Sequence, residues 1–310
     1  MRWKRGNRLK LASEAEAPPP TRKIFDEVRH ALGSPVVPKL YQGYAAFPEF
    51  LELHWQAFRP VLETRQFFLL GARLAAECYT RAHNYFAVRG MASRDSRREA
   101  AGALPISQVL DYYQYLDPLL LLIATAQMRA LEGPIGQAQA ERDAAHHPCF
   151  PIAPTLLNDE DATPQVHGIW SERQQMLSLA FVSDEHRALA TWPRFYQEYW
   201  SLLKDLLQSP LYADCQSRIV ESAWGLASEL PVKVETDISH LLDVGLSEEG
   251  LSLLAQTNEE FVQALSALVL DITFARIACE GGTRCESRAS QKPPAADGRR
   301  KKASSPTRAA

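Results

Sequence analysis

Residues 190–200 read Ala-Thr-Trp-Pro-Arg-Phe-Tyr-Gln-Glu-Tyr-Trp, and residues 45–55 read Ala-Ala-Phe-Pro-Glu-Phe-Leu-Glu-Leu-His-Trp. Both stretches have the order aromatic, proline, any residue, phenylalanine, four residues, tryptophan, and their matching positions lie 145 residues apart. Segments that match at a fixed spacing are typical of an internal repeat. The two stretches therefore predict a chain made of two related halves.

The match continues on both sides of these stretches without a gap. It pairs Glu27 with Glu172 and Leu62 with Leu207. The alternative is a coincidence of two helix starts, because a proline that follows an aromatic residue is a common way to open a helix.

The apolar residues near both stretches follow helical spacing. After Pro193, aromatic and leucine residues recur at intervals of three and four, which a strand cannot produce. Residues 119–123 are apolar on every side, as in a buried helix. We predict an all-α fold, in which two tandem helical repeats pack as a pseudo-dimeric helix bundle with a site between them.

Composition and proline content divide the chain into five expected parts. These are a disordered basic and proline-rich tail at 1–23, a first helical repeat at 24–132, an inter-repeat linker at 133–168, a second helical repeat at 169–280 and a disordered basic tail at 281–310.

The charge is concentrated at the two ends. Residues 1–23 carry a net charge of +5 and residues 281–310 carry +6, so the total of −3 leaves −14 on residues 24–280. An acidic body argues against a nucleic-acid groove, which needs clustered Lys and Arg.

The five cysteines are scattered and form no Cys-x-x-Cys pair, which indicates free thiols in a reducing compartment. The N-terminus lacks an apolar run of signal-peptide length, and the apolar run 119–123 is too short to cross a membrane. We therefore expect a cytoplasmic protein without membrane partners.

No strong catalytic signature occurs in the sequence: it has no Gly-rich phosphate loop, no His-Glu-x-x-His and no Gly-x-Ser-x-Gly. His146, His147 and Cys149 could be imagined as metal ligands, but no second ligand pair follows at zinc-like spacing. We predict no metal site.

Five segments, taken in order, carry a family resemblance. They are Val-Arg-x-x-Leu-Gly-x-Pro at 28–35, Ala-Ala-Phe-Pro-x-Phe-Leu at 45–51, Tyr-Leu-Asp-Pro-Leu-Leu-Leu-Leu-Ile at 115–123, Ala-Leu-Ala-x-Trp-Pro at 188–193 and Leu-Val-Leu-Asp-Ile-Thr at 268–273. The region from about residue 24 to 280 thus resembles the group I 2-haloacid dehalogenases, also called the halocarboxylic acid dehydrogenase family.

The resemblance implies a helical fold of two tandem repeats with a small active site between them. It also implies hydrolysis of the carbon–halogen bond of 2-halocarboxylic acids without metal or organic cofactor. In that family an aspartate takes a proton from a water molecule that attacks the α-carbon directly. A carboxylate is an effective base in a site that shields it partly from solvent.

The family's catalytic aspartate falls on Glu185, with Asp184 immediately before it, and either residue is a candidate base. Seven further positions correspond to family pocket residues or their neighbours and are predicted to bind substrate. They are Val36, Lys39, Thr64, Asp117, Leu265, Ser266 and Val269. Phe68 stands where the family has a glutamate.

Several of these residues have structural alternatives. Lys39 pairs with Asp184 at the 145-residue offset, so the two could form an ion pair instead of binding a substrate carboxylate. Glu185 could be a first-turn helix acid, and Asp117 an N-cap before Pro118. His186 is expected to face solvent.

Two functions remain open from the sequence. The first is a dehalogenase-like hydrolase that acts on small 2-halocarboxylic acids and water. The alternative is a catalytically degenerate family member that binds a small carboxylate or serves as a helical scaffold, since Val36, Phe68 and Leu265 replace pocket groups of the family. The sequence leaves association into a homodimer open.

Overall fold

The computed structural model describes residues 11–90, 106–137, 148, 150 and 153–281. That part of the chain forms eleven helices, which confirms the all-α prediction. The helices are α1 (Pro19–Leu32), α2 (Lys39–Tyr44), α3 (Pro48–Leu62), α4 (Arg65–Tyr85), α5 (Ile106–Glu132), α6 (Pro164–Leu177), α7 (Asp184–Leu189), α8 (Pro193–Leu207), α9 (Pro210–Ala227), α10 (Ile238–Asp243) and α11 (Glu248–Glu280).

The aromatic–proline stretches open helices in both halves. Pro48 and Pro193 are the first residues of α3 and α8. A proline fits this position because its fixed φ suits a helix and its missing N–H would have no partner there.

The helix starts keep the offset seen in the sequence. Four pairs of helices begin 145 residues apart, at Pro19 and Pro164, Lys39 and Asp184, Pro48 and Pro193, and Arg65 and Pro210. One side-chain contact also recurs: Trp55 Nε1 donates to Glu27 Oε2 at 2.6 Å, and Trp200 Nε1 donates to Glu172 Oε2 at 3.1 Å. The packing of the two sets as a pseudo-dimer stays a prediction.

The centre of the protein is the packing of α5 against α11, with α4 and α9 against both. By length and composition α11 could cross a membrane, but 89% of its most apolar window is buried inside the protein. A soluble protein's central helix has the same properties. The short helices α2 and α7 contact α11 and α5 respectively, which brings elements from both halves to one place.

Two helices begin about one turn before the predicted repeat boundaries, which stay predictions. Helix α1 begins at Pro19, five residues before the predicted start at residue 24, and Ala17 before it is already buried. Helix α6 begins at Pro164, where Thr163 Oγ1 accepts from Val166 N. Prolines that suggest a disordered segment stand here at helix starts, where they are favourable. Residues 1–10 and 282–310 of the predicted tails lie outside the described residues.

Residues 232–235, which alternate like a strand, find one partner. Val234 and Ile135 exchange two backbone hydrogen bonds, of 2.9 and 3.1 Å, in a single antiparallel bridge. No sheet forms in the described part of the chain.

Candidate active site

A narrow cleft with a cavity volume of only about 30 Å³ lies between α2, α5, α7 and α11. The halves meet there, where the sequence predicts the site. Its walls are largely aliphatic and aromatic, including Val36, Leu116, Leu120, Phe181, Phe261 and Leu265. Its polar side chains are Lys39, Tyr112, Tyr113, Ser183, Asp184 and Glu185. A small apolar cleft with a few converging polar groups is the usual form of a ligand site.

Helix α7 places both candidate bases in this cleft. Ser183 precedes the helix in extended conformation, and Asp184 and Glu185 are its first two residues. Glu185 does occupy the first turn, but it is only 6% exposed. A first-turn acid that served only the helix dipole would remain in solvent, so its burial indicates a further role.

Glu185 interacts with Asp117, a fully buried residue of α5. Neither oxygen of Asp117 makes a hydrogen bond of ordinary geometry to a described residue, and Oε2 of Glu185 also has no partner. Buried polar atoms almost always have partners, and exceptions concentrate at functional sites. The two carboxyl groups therefore form an unsatisfied polar centre beside the cleft.

The surroundings of the two carboxyl groups shift the pKa values of both. Burial, then the charges of Glu185 and Asp184, raise the pKa of the Asp117 carboxyl well above its usual value. Burial and the charge of Asp184 also raise the pKa of Glu185, but its interaction with Asp117 works in the opposite direction. We infer that Asp117 holds the proton and Glu185 is the ionised member, since two adjacent buried carboxylates cannot both stay charged.

Lys39 and Asp184 form the ion pair predicted from the repeat offset. Nζ of Lys39 lies 2.5 Å from Oδ1 of Asp184, and the two side chains are 20% and 13% exposed. Both residues line the cleft. The ion-pair interpretation is thereby confirmed. Lys39 also places a positive charge in a cleft whose other charged side chains are acidic.

Two further polar groups at the cleft have no partner among the described residues. The hydroxyl groups of Tyr113 and Ser183 are buried and make no hydrogen bond of ordinary geometry. Tyr113 lies four residues before Asp117 on α5, so both point from the same helix face. That spacing is the signal that would have identified Tyr113 in the sequence.

Four predicted substrate-binding residues are not among those that line the cleft: Asp117, which lies beside it, and Thr64, Ser266 and Val269. Thr64 caps α4, where its Oγ1 accepts from Phe67 N and donates to the Val61 carbonyl. Ser266 Oγ donates to the carbonyl of its own helix at residue 263. The carbonyl of Val269 accepts from Thr273 Oγ1. These contacts stabilise helices.

Two structural alternatives are wrong. Asp117 does not cap a helix, since it lies in the middle of α5, which continues through Pro118. His186 does not face solvent: it is fully buried, with Nδ1 2.9 Å from the Tyr196 hydroxyl and Nε2 3.3 Å from Asp271 Oδ2.

No three His, Cys, Asp or Glu residues of the described part are grouped to hold a metal ion. His146, His147 and Cys149 lie outside the described residues. Cys78, Cys215 and Cys279 form no disulfide with one another.

Comparison with known proteins gives a consistent result. The family model described as halocarboxylic acid dehydrogenase DehI matches residues 35–186. An (R)-2-haloacid dehalogenase of Pseudomonas putida is 26% identical over 260 residues, which are 81% of this chain and 86% of that protein. An (R)-2-haloacid dehalogenase of Rhizobium sp. (strain NHG3) is 22% identical over 227 residues, 72% of this chain and 88% of that protein.

Solved structures show the same fold. A D-2-haloacid dehalogenase mutant in complex with D-2-CPA superposes with a TM-score of 0.80 at 23% identity, over 87% of this chain and 96% of that one. A D-2-haloacid dehalogenase in complex with L-LA gives a TM-score of 0.80 at 24% identity, with the same coverage. The helical fold and the matched sequence support a divergent member of the haloacid dehalogenase family whose model is described as DehI.

Proposed function

We propose that this protein hydrolyses the carbon–halogen bond of small 2-halocarboxylic acids. The oxygen of a water molecule forms a bond to the α-carbon, the carbon–halogen bond breaks, and its electron pair leaves with the halide. The proton of the water passes to a carboxylate and then to solvent, so the products are a 2-hydroxy acid, halide and H⁺.

The observation that carries this proposal is the state of Glu185. It is buried beside Asp117 and the cleft, its pKa is raised by burial and by the charge of Asp184, and its Oε2 has no hydrogen-bond partner among the described residues. A carboxylate with a raised pKa is a stronger base than one in water, and desolvation keeps it reactive. We assign Glu185 as the base. The other candidate, Asp184, is already bound to Lys39.

Asp117 acts as the neutral partner of the base. A protonated carboxyl group donates from its O–H and accepts at its other oxygen, and the asparagine amide likewise donates from its NH₂ group and accepts at its carbonyl oxygen. Asp117 stabilises the charge of Glu185 without competing for the proton of the water.

Lys39 recognises the carboxylate of the substrate. Its ammonium group is a cation at the cleft. It can leave Asp184 and bind the carboxylate of the substrate, so the lysine keeps a negatively charged partner. The aliphatic walls, which include Leu116 and Leu265, then hold the halogen and the alkyl group. The names of the curated relatives support the (R) enantiomer as substrate.

Halide release from (R)- and (S)-2-chloropropionate tests the proposal. The wild type is expected to release chloride from the (R) enantiomer. Glu185→Gln, which keeps the shape and removes the base, is expected to reduce kcat by at least about 100-fold. Glu229→Gln, a half-exposed glutamate paired with Arg73 outside the cleft, serves as the control. A wild type that binds the acid without chloride release would favour the small-carboxylate binder instead.

A further inference from the structure

Behind the cleft, a buried polar cluster surrounds Asp271 of α11. Arg173 of α6 donates to Asp271 Oδ2 from Nε at 3.1 Å and from Nη2 at 2.6 Å. The hydroxyl of Tyr212 donates to Oδ1 at 3.0 Å, and that of Tyr199 donates to the Asp271 carbonyl at 2.7 Å. Arg173 and Asp271 are 2% and 0% exposed, so this ion pair is fully removed from water.

His186 connects this cluster to the candidate base. Burial, then the charge of Arg173, lowers the pKa of His186 to about 4, so its ring is neutral near pH 7. Asp271 can only accept a hydrogen bond, because Arg173 and His186 hold its pKa low against the effect of burial. Nε2 of His186 therefore donates to Asp271, and Nδ1 accepts from the Tyr196 hydroxyl.

Helix α7 depends on such anchors. It has six residues, too few for a stable helix without tertiary contacts. Glu185 and His186 are its second and third residues, so any shift of His186 displaces the carboxylate beside it. Both ring nitrogens of His186 are bound to other helices, which fixes α7 in position and in rotation about its axis.

The first half of the chain provides an internal comparison. At the 145-residue offset, Arg173, His186 and Asp271 correspond to Val28, Tyr41 and Ala126. These three are equally buried, and none carries a charge. The buried positions of the first half at this offset are thus filled without an ion pair. A buried ion pair is often no more stabilising than apolar residues of similar volume, so the fold alone does not explain the cluster.

We propose that His186, held by Asp271 and Tyr196, is a positioning residue that aims Glu185 at the water in the cleft. The inference rests on the proposed function and adds to it a residue that does not touch substrate. A displacement of about 1 Å in a reacting group can cost roughly 100-fold in rate. Loss of the His186 contacts is therefore expected to reduce kcat more than it changes KM.

His186→Phe tests this, because it keeps a planar ring and removes both hydrogen bonds. We expect kcat to fall at least about tenfold, with KM within about threefold of the wild type. His186→Gln, whose amide can donate to Asp271 from nearly the same place, should recover part of the loss. Tyr196→Phe removes only one contact and serves as the milder variant if His186→Phe does not fold.

His54→Phe is the matched control. His54 of α3 is also fully buried, its Nδ1 lies 2.8 Å from Gln127 Oε1, and burial lowers its pKa to about 4, but it does not line the cleft. We expect His54→Phe to lower the melting temperature and leave kcat unchanged. If folded His186→Phe keeps wild-type kcat, or if both variants lose kcat alike, His186 has only a structural role.

Hydrogen exchange separates this inference from the proposed function. The amides of α7 are expected to exchange faster in His186→Phe than in the wild type or His54→Phe, with exchange in α5 and α11 unchanged. A wild type without turnover would overturn the hydrolase, while selective exchange in α7 would still support the anchoring. Unchanged exchange in α7 would overturn the anchoring whatever the activity.

Discussion

The Nζ atom of Lys39 lies 2.5 Å from Oδ1 of Asp184, and the two residues begin helices whose first residues are 145 positions apart. A contact between equivalent positions of the two halves is expected where two related halves meet. In this protein it coincides with the cleft that contains the candidate base. The ion pair therefore bears on stability and on ligand recognition together.

Removal of one partner should reveal both roles of the pair. Lys39→Met leaves the largely buried Asp184 without its counter-ion, so we expect a lower melting temperature and a loss of affinity for 2-hydroxy acids. Melts of the wild type, Lys39→Met, Asp184→Asn and the double mutant measure the coupling, which is expected to be at least about 0.5 kcal/mol. Strictly additive single effects would show that the two charges do not stabilise each other.

The Asp117 side chain should be replaceable by an amide but not by a hydrocarbon. Asp117→Asn keeps a donor towards Glu185, so we expect kcat/KM within about threefold of the wild type at neutral pH. Asp117→Leu removes the donor, which raises the pKa of Glu185 further and moves the acidic limb of the kcat/KM profile to higher pH. An inactive Asp117→Asn with unaltered structure would assign the catalytic proton to Asp117 itself.

Stability should depend on pH through the same residue. The pKa of Asp117 in the folded state is raised above its ordinary value of 3.8, so the unfolded state releases this proton first. The contribution of Asp117 to the free energy of unfolding is therefore fully present below about pH 3.8. It is lost as the pH rises through the pKa that Asp117 has in the folded state. Thermal melts at a series of pH values should show the melting temperature of Asp117→Asn rising relative to that of the wild type as the pH increases. A difference that stays constant with pH would contradict a protonated Asp117.

Much of the fold was predictable because it depends on local patterns. Aromatic–proline pairs open α3 and α8, and apolar spacing identifies the long helices. The ion pair of Lys39 with Asp184 was predictable too, because the predicted repeat pairs the two residues at the 145-residue offset. These features need only the order of residues along the chain.

The arrangement of buried polar groups was not predictable in that way. Asp117 before Pro118 has the local pattern of an N-cap, but α5 is long and central enough to continue past the proline despite one missing hydrogen bond. His186 is polar in a short segment without clear periodicity, and its partners lie on other helices. The best sequence signal for the buried polar cluster was Asp271, a lone acid in the apolar run of residues 268–275. A buried acid needs a cation or hydrogen-bond donors close to it.

Tyr113 offers a test of the unsatisfied cleft groups. Its hydroxyl is buried without a hydrogen-bond partner among the described residues. Tyr113→Phe should therefore leave stability unchanged or raise it slightly. A ligand or water molecule that accepts a hydrogen bond from this hydroxyl would lose that bond. We expect kcat/KM to fall about tenfold. Tyr41→Phe removes another such hydroxyl outside the cleft lining and should affect stability alike but not activity. Equal activity in both variants would exclude a role for the Tyr113 hydroxyl.

The central claim is that Glu185 acts as a base on water and not as a nucleophile. A single turnover with enzyme in excess over (R)-2-chloropropionate, in water enriched in ¹⁸O, tests this most directly. The account predicts that the hydroxyl oxygen of the first product molecules is ¹⁸O, because the water attacks the α-carbon itself. Product that carries ¹⁶O, with ¹⁸O later found in the carboxylate of Glu185 or Asp184, would contradict it.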